Sequence, residues 1–199
     1  MNSCDFEFEK ISKYAKDEGV IVPTRATKGA AGYDFYAAED TVIPPYEEVI
    51  GSWENAMIED AKTLYSDFDS FVEAFHNPKS MAETAKLTKQ YGAKPTLVPT
   101  GIKCRLPEGR YLQLAARSSL PLKHWLMLAN NVGVIDSDYY NNPDNEGHIF
   151  FQLINFAPFP IVIKKGECFG QGMVLPFCVS TKETAVETER VGGFGSTNA

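Results

Sequence analysis

At 199 residues, with 44% hydrophobic and 23% charged side chains, the chain has the composition of one globular domain able to bury a real core. Its net charge of −7 argues against holding nucleic acid or a membrane surface by bulk positive charge, but a few Arg side chains and backbone N–H groups suffice for a local anion site. No stretch approaches the roughly 18 apolar residues of a spanning helix, and the acidic start MNSCDFEFEK lacks a secretory layout, so the expected location is cytoplasmic.

Residues 1–50 carry short β-like runs. FEFEKI alternates, GVIVP is a short apolar run, and DTVIPPYEEVI contains a Pro-Pro turn, a pattern expected of an all-β sandwich or barrel. Residues 52–92 change period. Trp53, Met57, Ala61, Leu64, Phe68, Phe71 and Phe75 recur at three and four residues and fall on one helical face. Ser52 is the expected cap and Asn77-Pro78 the stop. SMAE then offers a capping box from Ser80 to Glu83, with Gly92 ending a shorter second helix. The result is a helical hairpin whose aromatic stripe packs on its own body or a neighbouring subunit, with a partner protein as the alternative.

From residue 96 the β signals return. TLVPTGIKCRLPEGRYLQLAARSS reads as strand, Pro-Glu-Gly turn, strand; GHIFFQLINF, FPIVIKKGE and CFGQGMVLPFCV read as three more strands. Helices and strands do not alternate, which excludes a doubly wound α/β fold. Cys4, Cys104, Cys168 and Cys178 form no CxxC pair, and His76, His124 and His148 are scattered, so zinc-type spacing is absent.

Several stretches carry chemistry. In ANNVGVIDSDYYNNPDNEGHIFF an apolar run leads into Asp136, Asp138 and Tyr139, then an Asn/Pro/Gly-rich turn, then an apolar strand. This reads as a hairpin with acids at its mouth. A half-shielded carboxylate there can take a proton from water, although Asp also serves as ordinary turn chemistry. AARSSL places Arg117, Ser118 and Ser119 after a strand, suited to phosphate oxygens or to capping a helix. AAGYDFYA contributes Asp34 on a strand entered through Gly, and GECFGQGM contributes Gln171 between glycines. The tail ERVGGFGSTNA sets Phe194 among three glycines.

Taken in order, AGYD, RSSL, GVIDSDY, GECFGQGM and RVGGFGST resemble the five motifs of the trimeric dUTPase family, which hydrolyses dUTP to dUMP and pyrophosphate. The resemblance covers nearly the whole chain apart from about residues 51–94. It implies an all-β, jelly-roll-like subunit over 1–199, with a helical-hairpin insertion at 51–94 and a C-terminal lid at 189–199. It also implies a homotrimer with shared active sites. Asp136 matches the base that deprotonates the attacking water. Mg²⁺ is the implied cofactor, bridging the phosphates and keeping mostly water as its other ligands, with Asp34 acting on it through water.

Tyr139 matches the tyrosine that packs under the deoxyribose. Asn130 and the backbone of Val134, Ile135 and Phe150 match the uracil-reading wall. Arg117, Ser118, Ser119 and Gln171 are expected to hold phosphates. In the lid, Phe194 is expected to stack on uracil, Arg190 to reach the terminal phosphate, and Gly195, Ser196 and Thr197 to complete the closure. Three features depart from the pattern: the long turn DYYNNPDNEGHI, Ser119 where the family usually has Gly, and the spacing of Arg190 from GGFG. Two alternatives stay open, a dCTP deaminase or bifunctional enzyme of the same fold, and a dUTPase that also docks a regulatory partner through its helices.

Overall fold

The alternation in EFEK forms β1 (Glu7–Lys10), which pairs antiparallel with β5 (Ile102–Arg105). The computed structural model describes residues 5–64, 67, 69–70, 77, 80–91, 94–183, 190 and 192–193. Two sheets carry the body. In the first, β2 (Tyr33–Tyr36), β11 (Cys168–Pro176), β6 (Arg110–Ala116) and β8 (Gly133–Ile135) lie side by side in that order, all antiparallel. In the second, β9 (Phe150–Asn155) lies between β4 (Thr96–Pro99) and β7 (Leu126–Leu128). A ribbon of β3 (Thr41–Ile43) and β10 (Ile161–Ile163) completes the β structure of the described residues.

The sheets pack face to face through alternate residues, as period-2 strands dictate. Phe35 of β2, Leu112 and Leu114 of β6 and Phe169 of β11 meet Val98 of β4 and Phe151 and Leu153 of β9, all of them buried. Phe151 is the junction, with ring centroids 5.5 Å from Phe35 and 5.0 Å from Phe169. The Gly-Gln-Gly run of β11 has its explanation here. A Cβ at Gly172 would lie 2.8 Å from Phe35, and one at Gly170 would collide with Phe151. Glycine on the inward positions makes room for the rings and leaves Gln171 on the other face.

Four local expectations need correction. GVIVP forms no strand; Val20 sinks into the core from a bend, and only Thr24 bridges to Asp34. The Pro-Pro pair turns the chain out of β3 and straight into a helix, α1 (Tyr46–Leu64), instead of starting another strand. Its first i→i+4 bond runs from Val49 N–H to the Pro45 carbonyl, at 3.2 Å. Ser52 therefore lies inside α1 and does not cap it. The reason is that two prolines already end the strand and Pro45 needs no N–H at a helix start. The fourth correction concerns β8 and β9, which are not a hairpin: β8 pairs with β6, and β9 with β4 and β7.

The second helix, α2 (Met81–Tyr91), begins as expected. Glu83 N–H donates to Ser80 Oγ at 3.2 Å, and Ser80 N–H to the Glu83 carboxylate at 3.0 Å. Gln90 of α2 donates to Asp60 of α1 at 3.0 Å. Phe68, Phe71, Phe75, Pro78 and Gly92 lie outside the described residues. Among the described residues no helix is long and apolar enough to cross a membrane.

Candidate active site

Because β8 and β9 belong to different sheets, the chain between them spans a gap, and that gap is a cleft. One wall is β8, the open edge strand of the four-stranded sheet. An edge strand keeps a row of backbone N–H and C=O groups unpaired on its outer side. Val134 and Ile135 come from that edge, Phe150 and Gln152 from β9, and Asn130 from the turn before β8. The floor is Tyr139, in a 3₁₀ turn, Ser137–Tyr139, that starts where β8 ends. Asp136 stands at the junction, its carboxylate half exposed at the mouth.

Arg190, far along the sequence, closes the same cleft. Its Nη2 lies 2.5 Å from Asp136 Oδ2 and its Nε 2.8 Å from Asp138 Oδ1. The guanidinium lies 5.9 Å from the centre of the Tyr139 ring. Gly193 rests on that ring, so closely that a Cβ there would be 2.8 Å from Tyr139 Cε2.

The remaining candidates form a second cluster. Asp34 of β2, Gln171 of β11 and Ala115 of β6 lie opposite one another across the sheet. Arg117, just past β6, sets its Nε 3.6 Å from Asp34 Oδ1 and donates to the Cys168 carbonyl at 3.3 Å. Gln171 donates to the Ala116 carbonyl at 3.2 Å. Ser118 occupies the cap position of a short helix, α3 (Ser119–His124), without a side-chain capping bond. Arg117 and Ser119 line a separate hollow with His124, Glu167 and Cys168. Burial pushes the Cys168 thiol up to about 11, so it stays a protonated wall residue at neutral pH.

Asn130, Val134, Ile135, Asp136, Tyr139, Phe150 and Arg190 thus meet in one cleft, whereas Asp34, Arg117, Ser118, Ser119 and Gln171 do not reach it. The register of β6 gives the separation: Leu112 faces Ile135 while Ala116 faces Gly170. Asp136 and Arg117 are therefore about six residues apart along one strand direction, on the order of 20 Å. Phe194, Gly195, Ser196 and Thr197 lie outside the described residues. Sequence reasoning missed His148 and Gln152 as parts of the cleft.

His148 closes the rear. Its Nε2 accepts the Gly101 N–H at 2.9 Å, and its ring centroid lies 3.9 Å from that of Phe150. Burial lowers its pKa to about 4, so the imidazole is neutral at physiological pH, as an acceptor must be. Among the described residues that line the cleft, Asp136 is the one carboxylate. Among the described residues no three His, Cys, Asp or Glu side chains converge to hold a metal by themselves.

The profile of the dUTPase family matches residues 81–198. This chain belongs to the dUTPase family. A deoxyuridine 5'-triphosphate nucleotidohydrolase of Lactococcus lactis subsp. lactis is 38% identical over 193 residues, covering 96% of this chain and 97% of its own length. One from Chlamydia pneumoniae is 41% identical over 108 residues, 52% of this chain and 70% of its own. Among solved structures, the dUTPase from Streptococcus mutans superposes with a TM-score of 0.60 at 35% identity, covering 87% of this chain and 97% of that one. The dUTPase of phage phi11 of S. aureus, at 16% identity and a TM-score of 0.56 over 93% of this chain and 98% of that one, is a likeness of fold alone.

Proposed function

We infer that this chain is a dUTP diphosphatase, hydrolysing dUTP to dUMP and pyrophosphate. The observation that carries the reading is the placement of Asp136 at the mouth of a cleft floored by Tyr139 and walled by the open edge of β8. A pyrimidine lying against that edge finds backbone donors and acceptors in fixed positions, and Asn130 adds an amide. In this reading the wall around Val134 and Ile135 turns away a 5-methyl group, and the Tyr139 ring under the sugar turns away a 2′-hydroxyl.

In the proposed mechanism Asp136 accepts a proton from a water molecule as that oxygen attacks the α-phosphorus. The bond from the α-phosphorus to its bridging oxygen breaks on the far side, and pyrophosphate departs. Arg117, Ser118, Ser119 and Gln171 hold and orient phosphate oxygens, and Arg190 takes the terminal phosphate when it leaves Asp136. Mg²⁺ fits the donor set as an ion carried by the substrate's phosphates and water, with Asp34 acting through water. When bound it offsets phosphate charge.

The separation of about 20 Å between Arg117 and Asp136 supports a site completed by a second copy of the chain, in a homotrimer with shared active sites. Residues 51–94 are proposed as a helical insertion in a jelly-roll-like subunit, and residues 189–199 as a lid. A cytoplasmic location suits the nucleotide substrate.

A dCTP deaminase needs a further acid against the cytosine ring, and Asp136 as the one described carboxylate of the cleft favours the diphosphatase. The experiment is release of pyrophosphate from dUTP, dCTP, dTTP and UTP with and without Mg²⁺. Preference for dUTP is expected; ammonia release from dCTP as the main activity sinks the reading.

A further inference from the structure

The turn between Tyr139 and His148 is built by two asparagine side chains. Asn142, buried, uses its Oδ1 to accept the N–H groups of Asp144 and Asn145, at 3.0 and 3.1 Å. Its Nδ2 donates to the Tyr139 carbonyl and to Asn145 Oδ1, both at 2.9 Å. Asn145 Oδ1 also accepts the Gly147 N–H at 3.1 Å. Two donors converging on one oxygen fix the orientation of the Asn145 amide. Its Nδ2 therefore donates, 2.8 Å from the Tyr139 hydroxyl. The phenol, accepting there, sends its own proton to the His148 carbonyl at 3.1 Å. Gly147, at φ +80°, brings the backbone so close that a Cβ would lie 2.6 Å from the Tyr139 carbonyl oxygen.

The consequence is that the Tyr139 hydroxyl has no role left to play toward a ligand. It gives one hydrogen bond and takes one, both from its own turn, and both hold the ring at one height. What the ring presents to the cleft is its face, on which Gly193 rests. A bare face excludes a sugar hydroxyl only if it cannot retreat; an apolar wall free to move rejects an added hydroxyl weakly.

We propose that Asn145 is a positioning residue for sugar selection, holding Tyr139 at the height that admits a 2′-deoxyribose and excludes a ribose. The proposal rests on the dUTP reading of the cleft and deepens it. Asn145 reaches the cleft only through the Tyr139 hydroxyl, its bonds with Asn142 and Gly147 staying within the turn.

The test is the ratio of kcat/KM for dUTP to kcat/KM for UTP, read by pyrophosphate release from the full-length protein. Asn145→Ala is expected to lower that ratio about tenfold, chiefly by raising UTP turnover. Tyr139→Phe, which removes the hydroxyl and keeps the ring, is expected to lower it by a similar factor. The double variant is expected to match either single one, because both delete the same link. If Asn145→Ala does not fold, Tyr139→Phe by itself carries the test, because it leaves the bonds of Asn145 to Asn142 and Gly147 in place.

A purely structural Asn145 would depress both substrates together along with Tm, leaving the ratio in place, and that result overturns the proposal. So does multiplication of the two single effects in the double variant. A wild-type chain without dUTP turnover overturns the underlying reading; a dUTP preference that survives Tyr139→Phe overturns the positioning role alone.

Discussion

Arg190 bonds Asp136 and Asp138 at once, a fork closed across 54 and 52 residues of sequence. With Gly193 on the Tyr139 ring, Arg190 and Gly193 occupy the cleft beside the Asp136 carboxylate. In the proposed mechanism the substrate competes with them for that place, and Arg190 must release Asp136 before it can meet a terminal phosphate.

Arg190→Ala follows from this. Removing the guanidinium opens the cleft to a ligand with a single phosphate, and removes a contact to the triphosphate. The Asp136 carboxylate is half exposed, so the ion pair is worth only about 0.5–1 kcal/mol. Affinity for dUMP is expected to rise roughly two- to fivefold, while kcat/KM for dUTP falls. Calorimetric titration with dUMP beside a turnover assay checks both signs.

Asp136→Asn keeps the size and most hydrogen bonds of the side chain but cannot take a proton. Turnover is expected to drop by about 10²–10⁴ with dUTP binding largely kept. Pyrophosphate release near the wild-type rate would refute the assignment of the base.

Ending the chain before Gly192 removes the proposed lid and, among the described residues, none of the hydrophobic core. Turnover is expected to fall severalfold or more, with Tm shifted by no more than a few degrees. A large loss of Tm would mean that these residues belong to the body of the fold.

His148 makes acid stability predictable in sign. Its pKa is about 4 in the folded chain, against about 6.5 when free. Burial is the first cause, with Lys13 adding to it and Glu39 and Glu146 opposing. A depressed pKa contributes stability that is fully present above pH 6.5 and is lost as pH falls through 4. The loss across that window is roughly 3 kcal/mol. Urea melts at pH 7.5 and 4.5 should fall more steeply for the wild type than for His148→Gln, which has nothing to titrate. Equal slopes would show that His148 is not held neutral.

Some of this molecule was legible in the residues and some was not. The strand read in GHIFFQLINF and the capping box at Ser80 became β9 and the start of α2, because both signals depend on neighbours two to four residues apart. The same local logic made Ser52 look like a cap, and failed because Pro44-Pro45 had already started the helix. The run from Val132 to Phe151 looked like a hairpin because its pattern matches one. Periodicity shows which face of a strand is buried and is silent about which strand lies beside it.

Family membership and the residue types of the proposed site were carried by the sequence alone, in five short motifs whose order is a property of the chain. The tertiary structure decided their grouping. It put β8 and β9 in different sheets and so opened the cleft, and it set Arg117 about 20 Å from Asp136. It bonded Asn145 to Tyr139 and laid Arg190 on Asp136. Each of these depends on strand pairing or on side chains meeting in space. Such contacts form only when the whole core packs, so no local stretch of sequence encodes them.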